Sequence, residues 1–89
     1  MITAENKPQI PVVASQLKDG KTNVFIPDLN ITIHDVDFIS ALAKASMTAS
    51  ALYYYNLERN VIFDLKTKYA DAEKLCDDNS FVTFICLTN

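Results

Sequence analysis

The chain has 89 residues, 49% of them apolar and 21% charged, and a formal net charge of −3. That composition is too apolar for a disordered chain and sufficient for one small globular domain, so residues 1–89 are read as a single unit with 1–9 frayed. The eight Lys and Arg are scattered rather than gathered into a basic stripe, so the usual electrostatic footprint of a nucleic-acid binder is missing.

The start, MITAENKPQIP, lacks a basic region followed by an apolar run, so no secretory signal is expected and the chain reads as cytoplasmic. Residues 10–17, IPVVASQL, have the composition of a strand. Pro11 belongs at its start or on a sheet edge, because it cannot donate to a ladder. Asp19-Gly20, containing the only glycine, is a hairpin signal. A two-residue type I′ turn there pairs Leu17 with Thr22, Ser15 with Val24 and Val13 with Ile26. Pro27 and Asp28 interrupt the returning strand. After them Leu29, Ile31 and Ile33 alternate with polar residues, which predicts a third short strand or an extended run along the sheet edge.

Residues 35–77 run without Gly or Pro and are helical in pattern throughout. The start is expected between Thr32 and Asp35, either as a capping box opened by Thr32 or with Asp35 itself as the cap. Phe38, Leu42, Ala45, Ala49 and Leu52 form one apolar stripe. Val61, Ile62, Leu65, Tyr69, Ala72 and Cys76 form a second, about half a turn away. A continuous helix of this length would reach roughly 60 Å at about 1.5 Å per residue, far beyond the ~12 Å radius of gyration of a compact chain of this size. Two structures fit. Either the helix breaks near residues 56–60, with Asn60 as N-cap of a second helix and both stripes on one core, or it is an unbroken rod covered by another copy.

Residues 81–87, FVTFICL, are strongly β-prone and uncharged. An exposed strand of this kind invites aggregation, so it is placed inside the sheet, either buried on both faces or covered by the helix. The fold class is α+β: an N-terminal β-hairpin, a long or kinked central helix over about 35–77 and a C-terminal strand, with the helix covering a small, mostly antiparallel sheet.

No motif carries chemistry. Cys76 and Cys86 match no CxxC redox or zinc spacing and are read as reduced core thiols; no metal ligand set and no cofactor are expected. His34 stands alone, read as a capping or surface residue. The carboxylate pairs Asp35/Asp37 and Asp71/Glu73 are two apart and diverge on a helix. No nucleophile, base and orienting group can be assembled, so no enzymatic activity is expected.

Tyr53, Tyr54 and Tyr55 point in three directions on a helix, which leaves at least one ring outside. With Arg59 one turn beyond Tyr55 they form a candidate contact site, since Tyr and Arg are over-represented in binding hot spots. Leu65 and Tyr69, on the second stripe, are candidates for a seam between copies. The expected role is that of a small, self-associating, non-enzymatic protein that binds a macromolecular partner, of the kind phages and mobile elements use as accessory or inhibitory proteins. A homo-oligomer and a protein partner are expected. A membrane is not, because residues 38–57 contain Lys44, several hydroxyls and Asn56. The alternatives are a nucleotide-type ligand bound near Tyr53 to Arg59 at a subunit interface, and a structural assembly subunit.

Overall fold

In the computed structural model, which describes residues 8–61 and 64–88, β1 (Gln9–Gln16), β2 (Thr22–Ile26) and β3 (Ile31–Asp35) follow one another as a meander. The helices α1 (Phe38–Glu58) and α2 (Tyr69–Glu73) come next, and β4 (Ser80–Cys86) returns to the sheet. The order across the sheet is β3-β2-β1-β4, with every pairing antiparallel. This is the α+β layout expected from the sequence.

The first reversal is a hairpin, but not of the two-residue kind. A type I′ turn needs positive φ at both central residues, whereas at this turn only Gly20 has it, at +87°. The loop is therefore one residue longer: Gly20 donates to the Leu17 carbonyl at 3.0 Å, and Leu17 donates to Lys21 at 2.8 Å. The register shifts with it, to Ala14 opposite Val24 and Ser15 opposite Asn23. Because side chains alternate between faces, a one-residue slip changes which set is buried. Ala14, not Ser15, joins Val12, Val24 and Ile26 in the core.

Pro11 lies in an interior strand, between β2 and β4, rather than on an edge. It is tolerated there because β2 pairing stops at Val13–Phe25, so the position where Pro11 lacks an N–H lies beyond the end of that ladder. Pro27 to Asn30 form the second turn, with Asn30 at φ 55°, and Leu29 is tucked beneath it. β3 then pairs with β2 as far as Asp35, opposite Thr22. That pairing moves the helix start: the cap is Asp37, whose Oδ1 accepts from the Ser40 N–H at 2.8 Å, and neither Thr32 nor Asp35.

The helix ends well short of residue 77. Arg59 closes α1 and Asn60 takes the left-handed conformation, at φ 62°. Asn60 donates to Leu57 at 3.0 Å and Val61 donates to Asn56 at 2.8 Å, the paired bonds of a Schellman motif. Asn60 thus terminates the first helix instead of capping a second. Ile62 lies outside the described residues. Leu65 sits in irregular chain that continues through Lys68, tied down by the Thr67 N–H donating to Asp28 Oδ1 at 2.9 Å. Asp71 Oδ2 accepts from the Lys68 N–H at 3.0 Å and opens α2.

α1 lies on one face of the sheet. Ala41, Ala45 and Ala49, all fully buried, bring its backbone close to Ile10, Val12, Val24, Ile26 and Ile85. Small side chains permit that approach. Phe38, Leu42, Leu52, Tyr53 and Leu65 pack around the contact. The opposite face carries Val13, Phe25 and Phe84, and there α2 contributes a buried Ala72 and a Tyr69 ring stacked on Phe84 at 6.2 Å.

β4 pairs only with β1 and is an edge strand, a correction to its expected place inside the sheet. Ile85 and the following Leu87 are buried, while Phe81 and Phe84 are each about half exposed. The strand's apolar content is shared between the two helix-covered faces and the rim, so it does not require a neighbour on both sides.

Candidate functional site

Lysine and acidic side chains normally dominate the solvent side of a surface helix. In α1 the only charged residues among 21 are Lys44 and Glu58. Lys44 is already engaged, its ammonium 3.1 Å from Asp35. The outward side instead carries Ile39, Ala43, Met47, Ala51 and Tyr55, each four residues after the last, with Ile39 74% and Met47 72% exposed. Such i, i+4 rows form a continuous ridge on a helix. A shallow hollow beside it is lined by Met47, Thr48, Ala51, Leu52 and Tyr55.

A second helical row, Ile39, Ala43, Ser46, Ser50 and Tyr54, faces the rim of the sheet. The Ser46 hydroxyl donates to the Cys86 carbonyl at 2.9 Å, and the Tyr54 hydroxyl to the Leu87 carbonyl at 3.3 Å. The Ser50 hydroxyl accepts from the Thr88 N–H at 2.9 Å. These bonds anchor the end of β4 beneath α1, and among the described residues no strand pairs with its outer edge.

The six residues singled out by sequence do not form one cluster. Tyr53 and Tyr54 are half-buried, their rings edge to face at 5.0 Å, with Tyr53 against the core. Tyr55 points outward, and the Arg59 guanidinium lies 5.5 Å from its ring centre, a cation–π pair one turn apart. Leu65 packs on the core from the irregular segment, and Tyr69 stands on the opposite sheet face against Phe84. The hollow beside Tyr55 has no cationic side chain among its described lining residues to hold a phosphate. Sequence reasoning missed Ile39, Ala43 and Met47, although the signal was present: apolar residues at i, i+4, i+8 opposite the buried stripe, with almost no charge between them.

His34 lies on β3, away from the helix start, and hydrogen-bonds Asn23 through Nδ1. Cys76 and Cys86 are free and half-buried, and no group of three or more potential metal ligands occurs among the described residues. A cavity of about 190 Å³ at the start of α1 is lined by Ala14, Ser15, Thr22, Phe38 and Phe81 together with Asp37, whose carboxylate is used by the cap. It is smaller than the roughly 300–1,000 Å³ of ordinary ligand sites. Two carboxyls are held below the ordinary range. Asp35 is lowered by the Val36 N–H donating to it and then by Lys44, and Asp77 by the Asn79 N–H and then the Ser80 hydroxyl. Both are structural hydrogen bonds of turns and strand ends.

Among the described residues, no helix is long and apolar enough to cross a membrane. No known protein family, curated protein or solved structure matches the chain.

Proposed function

We propose that this chain is a non-enzymatic binding protein that associates with copies of itself and acts by occupying the surface of a protein partner, as accessory and inhibitory proteins do. The self-association part of the reading rests on the uncharged edge strand β4, and the partner-binding part rests on the outward ridge of α1, which exposes Ile39, Met47 and Tyr55 in one row on a helix with only two charges. Contiguous apolar surface of this kind is uncommon on monomers and marks interaction sites. Tyr55, braced by Arg59, supplies the rigid aromatic anchor typical of such contacts. A nucleotide-type ligand has weaker support, since Arg59 already lies over the ring and the described residues lining the adjacent hollow add no cation.

The test is molar mass by light scattering after size exclusion, across the micromolar range. Mass rising above the 10.0 kDa of one chain supports self-association. A single chain at every concentration removes it. Thermal shift with a panel of linear and cyclic nucleotides addresses the ligand reading, which stands only if one of them stabilises the fold.

A further inference from the structure

Resting on the self-association just proposed, we infer where the second copy sits: against the outer edge of β4, antiparallel, extending the four-stranded sheet into an eight-stranded one across a two-fold axis. The ladder decides which backbone groups are available. Gln16 donates to the Asn79 carbonyl and the Leu87 N–H donates to Pro8, so between these ends residues 81, 83 and 85 turn both N–H and C=O toward β1. The intervening residues turn theirs outward. Of these, the Cys86 carbonyl is taken by Ser46 and Ser50, and the Ser80 N–H by Asp77. Val82 and Phe84 keep both groups on the outer edge, with no partner among the described residues.

An exposed edge is ordinarily blunted by charge, proline or a bulge. The two edges of this sheet differ in that respect. β3 carries His34 and Asp35, the latter paired with Lys44. β4, SFVTFIC, carries none of these devices. A two-fold antiparallel pairing duplicates any charge on the strand within one interface, as like charges; an uncharged strand avoids that penalty.

Centring the axis on Thr83 pairs Val82 with the Phe84 of the second copy and the reverse, which satisfies the N–H and C=O of both residues. The same placement brings the half-exposed Phe81 and the α1 flank of Ile39 and Ala43 toward the axis from one face. Phe84 with Tyr69 does so from the other. Main-chain bonds supply pairing and the flanking apolar groups supply burial, the usual division in strand addition.

The experiment is residue-resolved hydrogen exchange on the full chain at low and high concentration, alongside light scattering of wild type, Val82→Pro and Met47→Glu. Proline at position 82 removes only an outward N–H and leaves the β1 ladder intact. The expected result is a mass twice that of one chain for wild type and Met47→Glu. The Val82 and Phe84 amides should gain protection only at high concentration, and the doubled mass should be lost in Val82→Pro. A doubled wild-type mass without protection at these amides, or one abolished by Met47→Glu instead, overturns the edge pairing and leaves self-association standing. Wild type that stays a single chain at all concentrations overturns both. The exchange readout decides the matter even where Val82→Pro does not fold.

Discussion

Asn60 offers a test in which two structures predict opposite signs. In the Schellman closure it sits at φ 62°, exposed, with its own N–H bonded to Leu57. A left-handed residue with a Cβ costs roughly 1–2 kcal/mol, from which Gly is exempt and Asn partly so. Asn60→Gly is therefore expected to stabilise the fold by about 0.5 kcal/mol and Asn60→Ala to destabilise it by about 1 kcal/mol. Were the helix continuous through residue 60, the order would invert, because Ala is the best helix former and Gly about 1 kcal/mol worse. Urea unfolding at constant slope reads the difference as a shift in midpoint. For a domain of this size about 1 kcal/mol also moves the melting temperature by roughly 4–8 °C. An Asn60→Ala variant more stable than the Asn60→Gly variant would refute the break and restore the long rod.

Three further outcomes follow from the packing and the turn carboxylates. Ala45→Leu forces extra volume into the fully buried contact between α1 and the sheet and should cost about 1–3 kcal/mol in chemical unfolding. Leu65→Asp sets a carboxylate against the core cluster and should cost about 2–3 kcal/mol; a variant of wild-type stability but smaller particle mass would make Leu65 a seam residue instead. Asp35 and Asp77 ionise more readily folded than unfolded, where the ordinary value is 3.8. The unfolded chain therefore binds more protons in that window, and their contribution is present above it and lost as pH falls through the lowered folded values. Asp35→Asn with Asp77→Asn should flatten the loss of stability below about pH 4, measured by urea midpoint against pH.

Local features were legible where one residue type decides them. The lone glycine located the first reversal, and the alternation of Leu29, Ile31 and Ile33 indicated the third extended run. The hairpin register was not legible, because it depends on whether Asp19 joins Gly20 at positive φ, and composition does not settle that. The helix start was displaced by competition among Asp35, Asp37 and Thr32, resolved only by how far β3 stays paired with β2. Strand order is a property of the whole sheet, so the uncharged β4 read as interior when its place is the rim. Of the candidate site, the one-turn spacing of Tyr55 and Arg59 was legible, whereas which of the three rings points outward was not. Ile39, Ala43 and Met47 were passed over because attention to the buried stripe leaves the opposite side of a helix unread.

The two apolar stripes, half a turn out of phase, have a physical origin different from a rod serving two bodies. A single helix cannot cover both faces of one small sheet, yet β1 and β4 have apolar residues on each: Val12 and Ile85 on one, Val13 and Phe84 on the other. The chain meets this by stopping at Asn60 and running past the second turn, where Asp28 holds Thr67. It resumes as α2 beneath the strands that α1 covers from above. Tyr69 and Ala72 of the second stripe serve that second face, while Leu65, in irregular chain before α2, stays with the first. With α1 ending at Glu58, its length no longer demands a second copy, and the case for association rests on what the two layers leave bare: the α1 ridge and the β4 rim.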